Sequence, residues 1–408
     1  MRDIQPSRRQ ILGGALAAAG LAGSAARAAR PVLRIGVLGD QSGPYRDLAG
    51  LGALACARQA VAEFGAGSFD VEIVTADHQN KPDVGAAIAR QWFDRDGVDM
   101  VTDLTNSAVA LAVAQVARAK NKVALATATG TTELTGRQCS ANSLHWSYDV
   151  YMLARSTALQ VVKSGGRSWY FVAADYVFGR QLQGEAAATV AASGGTVLGT
   201  SFYPFPGTSD FSSFLLAGQS SGADVIGFAN AGADLVNGLK QAHEFGLSRR
   251  VRLAALSGFI SDIDAVGLEV AQGLNLTSSF YWDLNERTRA LSARVRPAMP
   301  RQAPPTMAQA GTYSGTLHYL KTVAAMGLPA ARDGAATVAQ MKATPCDDDA
   351  FGSFRVRADG RVLVPAYLFR VKSPAESRGP WDYYAKLATT PPDEAAPPLG
   401  RGCVLVKE

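Results

Sequence analysis

From Leu33 to Leu256 the chain repeats one pattern: a short apolar run, then a segment of helix length. The runs Leu33–Leu38, Val71–Ala76, Val98–Asp103, Val123–Ala126, Trp169–Ala173, Val197–Phe202, Val225–Phe228 and Val251–Leu256 read as strands. Ala49–Phe64, Pro82–Phe93, Ser107–Ala119, Tyr151–Lys163, Val177–Ala192, Asp210–Ala217 and Leu235–Phe245 read as helices. Strands apolar on both faces, joined by helices, form parallel sheets covered on both sides. The fold class is therefore α/β, with doubly wound parallel sheets. Ligands of such sheets bind outside the carboxyl ends of the strands. The loops after Leu38, Asp103, Ala126, Ala173, Phe228 and Leu256 are the places to look.

Past residue 283 the pattern turns helical, with Asn285–Arg296, Met307–Met326 and Gly334–Lys342. Short strands return at Phe354–Val356 and Tyr367–Val371, around the turn Asp359-Gly360. A Pro/Gly-rich tail closes the chain. The length of 408 residues fits two or three domains of roughly 100–200 residues each. A hydrophobic share of 47% against 18% charged residues excludes a disordered or fibrous chain.

The first 28 residues read as an address. Ser7-Arg8-Arg9-Gln10-Ile11-Leu12 is a twin-arginine pattern, a Gly/Ala-rich stretch follows, and Ala26-Arg27-Ala28 offers a small-residue cleavage site. These are the parts of a bacterial export signal, so the expected location is the periplasm with the signal removed. Four arginines against Asp3 give this segment three of the five net positive charges. No Lys/Arg-rich run occurs elsewhere, which argues against a nucleic-acid partner. No apolar run past residue 28 approaches ~20 residues, so no membrane span is expected. None of the four cysteines is spaced as C-x-x-C. Cys56 falls on an apolar helical face and reads as core. Cys139 and Cys403 both lie in loop-like sequence and are paired as a disulfide, with Cys346 as the rival partner.

Signatures of catalysis are missing. There is no P-loop, no G-x-G-x-x-G after a strand, no H-E-x-x-H and no G-x-S-x-G. The four histidines are scattered. Asp77-His78 reads as a loop hydrogen bond rather than a general-base pair, and Asp347-Asp348-Asp349 as a solvated loop rather than a cation site. The expectation is a binder, not an enzyme, with no metal and no cofactor.

An ordered set of short pieces then becomes recognisable: Ile35-Gly36-Val37 before Ser42-Gly43-Pro44; Asp77-His78-Gln79-Asn80-Lys81-Pro82; Asn106-Ser107; Ala174-Asp175-Tyr176 with Phe178-Gly179; Ser209-Asp210-Phe211; Ala223-Asp224-Val225-Ile226; and Tyr281-Trp282-Asp283. In order and spacing the chain resembles the periplasmic leucine/isoleucine/valine-binding family, the solute-binding partners of ABC importers, from about Leu33 to about Lys386. The resemblance implies a type I periplasmic binding fold of two lobes joined by three hinge crossings. The first lobe would hold residues 29–148 and 282–358, the second 149–281 and 359–390, with 391–408 as a tail. The crossings would lie near Ser147–Val150, Ser278–Tyr281 and Arg357–Gly360. The implied partners are a small-molecule ligand and a membrane permease, and the chain is expected to be a monomer.

The resemblance also implies that the first lobe holds a ligand carboxylate through the loops at Thr105-Asn106-Ser107 and Thr127–Thr132. Asn106 precedes a helix and suits its cap; N–H groups at a helix start, with hydroxyls, suit an anion. The candidates here are Asn106, Ser107, Thr129, Gly130 and Thr131. From the second lobe and the hinges come Tyr148, Tyr151, Asp175, Tyr176, Phe178, Asn230, Phe259, Tyr281 and Trp282, mostly rigid aromatics. One departure stands out. Amino-acid binders of the family hold the ligand ammonium with a second-lobe acid, and Leu256-Ser257-Gly258-Phe259-Ile260 contains none. Either Asp175 or Asp262 substitutes, or the ligand lacks an α-ammonium. The expected function is capture of a small, partly apolar carboxylate between closing lobes; a periplasmic sensor of the same fold and a binder of small amides are the alternatives.

Overall fold

A computed structural model describes residues 30–65 and 67–406. The export segment lies outside the described residues. Strands β1 (Val32–Gly39), β2 (Asp70–Asp77), β3 (Met100–Asp103), β4 (Val123–Ala126) and β5 (Ser143–His145) form a first sheet in the order β2-β1-β3-β4-β5. Every neighbouring pair is parallel. Helices α1 (Gly50–Phe64), α2 (Pro82–Asp94) and α3 (Ser107–Ala119) connect β1 to β4. After α4 (Val150–Lys163), strands β6 (Ser168–Ala174), β7 (Thr196–Tyr203), β8 (Val225–Ala229) and β9 (Arg252–Ala255) form a second parallel sheet, ordered β7-β6-β8-β9. Its connections are α5 (Val177–Ala192), α6 (Ser212–Ser220) and α7 (Ala233–Glu244).

Local chemistry sets these elements. β3, β4 and β8 are buried at every position, as strands sandwiched between helices must be. Pro82 occupies the first turn of α2, where its missing N–H costs nothing. Asn106 Oδ1 accepts from the N–H groups of Ala108 (2.9 Å) and Val109 (3.2 Å) and so starts α3. Asp149 Oδ1 does the same for Met152 N at 2.8 Å and starts α4.

The remaining chain closes the two sheets together. Helices α8 (Ile260–Val266) and α9 (Leu268–Ala271) lead into β10 (Asn275–Ser278). Then come α10 (Glu286–Val295), α11 (Met307–Met326), α12 (Leu328–Ala331) and α13 (Gly334–Ala343), with α11 packed along α1. Strands β11 (Cys346–Asp348), β12 (Gly352–Val356) and β13 (Val362–Leu363) make a small antiparallel sheet. β14 (Ala366–Val371) and β15 (Tyr384–Thr390) join β10 in another, and α14 (Pro392–Ala395) opens the tail. Residues 361–363 follow the turn at Asp359-Gly360 and contact the strands on the first sheet's side. Val362 and Leu363 pair with β12, and Arg361 bridges His145 at the end of β5.

A buried ion pair ties the chain where it leaves the first sheet. Arg361 Nε lies 2.6 Å from Asp149 Oδ2, both side chains being fully buried. Cys139 and Cys403 form a disulfide with Cα atoms 5.5 Å apart, while Cys56 and Cys346 are free and buried. Among the described residues no helix is long and apolar enough to cross a membrane.

Candidate ligand-binding site between the two sheets

Each sheet reverses its winding once. β1 is flanked by β2 and β3, and β6 by β7 and β8, so each sheet has a switch-point crevice at the carboxyl ends of those strands. A small cavity, of about 10 Å³, lies where the two crevices meet. From the first sheet it is lined by Tyr45 and Leu48 after β1, Thr105 after β3, Ala128 and Gly130 after β4, and Tyr148 after β5. Facing them are Tyr176 and Phe178 after β6, Ala231 after β8, and Ser257 and Phe259 after β9. Among these lining residues none carries a charge. Wider grooves beside α4 and β15, and beneath Arg401, touch neither switch point.

The walls are drawn together. Tyr45 and Tyr176 share a 2.6 Å hydroxyl–hydroxyl bond. Phe205 stacks on both rings, with centroids 4.4 Å from Tyr176 and 5.3 Å from Tyr45. Tyr148 meets Phe259 edge-on at 5.7 Å, a favoured aromatic arrangement. Ala233 N donates to Pro44 O at 3.0 Å. Gly130 lies so near Phe178 that a Cβ there would fall 2.7 Å from the ring.

Behind the first wall lies a polar layer. Thr105 Oγ1 donates to Asp103 Oδ1 at 2.9 Å, whereas Asp103 Oδ2 has no partner among the described residues. Glycine at position 39 permits this: a Cβ would sit 2.1 Å from that oxygen. Burial, reinforced by Asp40 nearby, pushes the Asp103 carboxyl up to about 8. Asp103 is therefore protonated at neutral pH. Asp40 instead accepts from Gly43 N (2.7 Å), Tyr45 N (2.8 Å) and Asn80 Nδ2 (2.7 Å). Thr129 Oγ1 donates to Ser107 Oγ at 3.2 Å, and Thr131 Oγ1 accepts from Glu133 N at 3.3 Å. His145 Nε2 lies 2.8 Å from Thr129 O; burial, with Arg361 alongside, lowers its pKa to about 4.

The structure thus gathers six of the fourteen sequence candidates at or beside the cavity: Gly130, Tyr148, Tyr176, Phe178 and Phe259 line it, and Asn230 is the neighbour of Ala231. Asn106, Ser107, Thr129 and Thr131 lie in the layer behind. Four face elsewhere. Tyr151 lines the outer groove beside α4, under Arg155 and Arg401. Asp175 is turned outward and pairs with Arg180 at 2.6 Å. Tyr281 and Trp282 both donate to Trp381 O, at 3.2 and 2.8 Å. Asp262, the other possible ammonium partner, accepts from Phe259 N at 3.0 Å; its carboxyl is buried in the start of α8 and pushed by desolvation up to about 7.

Sequence reasoning did not single out Tyr45, Leu48, Ala128, Ala231 or Ser257. Ala231 and Ser257 follow strand ends by two residues, so the strand-end rule could have found them. Tyr45 stands six residues past β1 and carries no such signal. Outside the site, His78 Nδ1 accepts from Asn80 N at 3.0 Å, and burial lowers this histidine to about 4. Asp347 and Asp349 each pair with Arg287 at 2.8 Å, and Asp348 accepts from the Ala350 and Phe351 N–H groups. Among the described residues no metal-ligating cluster occurs.

Two parallel sheets that close their carboxyl edges over one small cavity define a solute-binding receptor of the type I periplasmic kind. The chain belongs to the periplasmic binding protein family, whose model it matches over residues 32–379, and is a periplasmic solute-binding protein of the sort that serves ABC transporters. It is 43% identical to a periplasmic binding protein from Burkholderia mallei, over 92% of this chain and 99% of that one, with a TM-score of 0.88. A branched chain amino acid ABC transporter periplasmic ligand-binding protein from Burkholderia xenovorans is 35% identical over 89% and 96% of the two chains, TM-score 0.76. An ABC transporter solute binding protein from R. palustris, in complex with benzoate, shares the fold at 19% identity over 92% and 100%, TM-score 0.80. No curated protein sequence matches the chain.

Proposed function

We propose that the protein captures a small, partly apolar carboxylate between two closing lobes and presents it to the membrane permease of an ABC importer. It acts as a monomeric binder without catalysis. The lobes are those implied by the resemblance, with residues 361–363 placed in the first. The observation that carries the reading is the cavity itself: set between the two switch points, walled by Tyr148, Tyr176, Phe178 and Phe259, and uncharged along its lining. Aromatic walls of this kind hold an apolar body with few lost rotamers. The carboxylate end faces Thr105 and Gly130, ahead of the α3 N-terminus, where the helix dipole favours an anion. Asp103 behind Thr105 is protonated and adds no like charge.

Asp175 and Asp262 both turn from the cavity. An enclosed ammonium without a partner is expensive, which supports aliphatic or aromatic acids over branched-chain amino acids. The relative at 35% identity favours the amino acids by its name. The lack of a lining cation favours a second reading, small neutral amides. Calorimetric titration and thermal shift of the mature protein separate them, using isocaproate, benzoate, leucine, valine and acetamide. A ligand at 100 times its Kd adds about 2.7 kcal/mol of stability. Shifts with the acids but not with leucine are expected. A shift with acetamide alone would replace the carboxylate reading by the amide one.

A further inference from the structure

The second sheet places two buried, uncharged polar side chains past the carboxyl ends of β8 and β9, Ser257 in the cavity lining and Asn230 beside it in register, and among the described residues neither has a hydrogen-bond partner. Ser257 lines the cavity, is fully buried, and its Oγ makes no hydrogen bond among the described residues. Asn230 is also fully buried, and neither its Oδ1 nor its Nδ2 is bonded. Tyr203 stands beside Asn230 but donates its hydroxyl to Asp234 Oδ2 at 2.9 Å. The register sets the two residues side by side. β8 and β9 pair Val225 with Arg252 through Phe228 with Ala255, and Leu256 N continues the ladder to Phe228 O. The same offset puts Asn230 next to Ser257, on one face, at the carboxyl edge.

Buried polar groups are rarely left unbonded, and each one costs free energy unless something satisfies it. We propose that Asn230 and Ser257 form a subsite that reads an uncharged oxygen, a hydroxyl or a carbonyl, on the ligand's second-sheet end. The inference rests on the carboxylate reading above and narrows it to hydroxy- and oxo-substituted acids. Chemistry selects the group: an amide and a hydroxyl supply donors and acceptors together, so they satisfy a hydroxyl or a carbonyl fully. An ammonium would find acceptors but no uncommitted carboxylate: Asp175 and Asp262 are held by Arg180 and by Phe259 N, and Asp234, the buried acid beyond Tyr203, accepts from the Tyr203 hydroxyl and is pushed by burial up to about 6. A plain hydrocarbon would leave both side chains unbonded.

The test titrates two series, each with one carbon skeleton: isocaproate, leucate, ketoisocaproate and leucine; and hydrocinnamate, phenyllactate, phenylpyruvate and phenylalanine. In at least one series the hydroxy or oxo acid binds tenfold or more tighter than its unsubstituted partner, since a bond lost at a buried polar group is worth about 1–3 kcal/mol and 1.4 kcal/mol is tenfold. In Ser257→Ala and Asn230→Ala the ratio of affinities for substituted over unsubstituted acid falls toward one; Ser257→Ala, the smaller change, serves if Asn230→Ala fails to fold. Equal binding of substituted and unsubstituted acids, or tightest binding of the amino acid, overturns the subsite but leaves the carboxylate reading standing. No binding by any of the eight overturns both.

Discussion

The two walls of the cavity are built from the same strand-end geometry but from opposite chemistry. The first sheet brings a layered polar wall: Thr105 over a buried Asp103, with Ser107, Thr129 and Thr131 bonded to one another or to the backbone behind it. Thr105, Ser107, Thr129 and Thr131 are bonded from within, while Asp103 Oδ2 behind them has no partner among the described residues. The second sheet brings rings, Tyr176, Phe178 and Phe259, and a polar pair, Asn230 and Ser257, without a hydrogen-bond partner among the described residues. A self-satisfied wall keeps its shape whether or not the other approaches. A wall of aromatics with unbonded polar atoms gains most when the cavity is filled. The difference fits the proposed function, with anchoring by the first sheet and closure by the second.

The largest effect is expected where the two sides are joined. Asp149 caps α4 through Oδ1 and pairs with Arg361 through Oδ2 in a fully buried site. Asp149→Ala leaves Arg361 charged and unpaired, at a cost of about 3–5 kcal/mol. Urea denaturation should show both sheets losing stability in one transition. Loss confined to one phase would mean that the pair belongs to one wall and does not join them. Gly130→Val comes next. Its Cβ would meet the Phe178 ring, and overpacking costs about 1–3 kcal/mol, which is about 5- to 200-fold in ligand affinity. Because the tighter clash is with Phe178 across the cavity, and the milder one with Val150 at 3.2 Å, the Tm of the unliganded protein should change less than the Kd. An equal loss in both would make Gly130 a folding residue instead.

Asp103 sharpens the contrast through pH. Its carboxyl is raised to about 8, above the unfolded value, so the folded state holds a proton that the unfolded chain has released. Stability from this residue is therefore greatest at low pH, falls as pH rises from about 4 toward 8, and levels off above that. Asp103→Asn keeps the acceptor for Thr105 and removes the titration. Its Tm should fall by a few degrees less than the wild type between pH 5 and pH 8, and its affinity for a carboxylate should not weaken above pH 8. Parallel profiles for the two proteins would place the proton elsewhere.

What was legible in the chain was periodicity and the rule that sites follow strand ends. Val177–Ala192 and Met307–Met326 have in the structure the limits that their patterns set. β5, with only Ser143, Leu144 and His145, and β15, with its polar Lys386, Thr389 and Thr390, present too little apolar pattern to be read as strands. At the site the loops were legible and the side-chain directions were not. Asp175 and Tyr176 are sequence neighbours, yet the tyrosine faces the cavity and the aspartate faces Arg180, because adjacent residues leaving a strand point to opposite sides. Asp262 is near the cavity in sequence, but its carboxylate is drawn back to Phe259 N, a helix-start bond that composition does not reveal. Tyr45 reaches the cavity only because Asp40 holds the turn from Gly43 to Tyr45 by two N–H bonds, a contact set by the loop rather than by any repeat.

The smallest effect tests whether the walls cooperate at all. The Tyr45–Tyr176 hydroxyl bond spans the cavity mouth, and burial holds both phenols above their ordinary range, so the bond keeps its protons across physiological pH. Tyr176→Phe removes one partner and leaves the stack with Phe205. A net hydrogen bond of about 0.5–1.5 kcal/mol should appear as a roughly 2- to 12-fold weaker Kd with little change in the unliganded Tm. Tyr45→Phe should cost the same, and the double variant no more than either alone, because both single changes remove one shared bond. Additive losses would mean that each hydroxyl serves its own wall, and the closing role given to the second sheet would then rest on its rings alone.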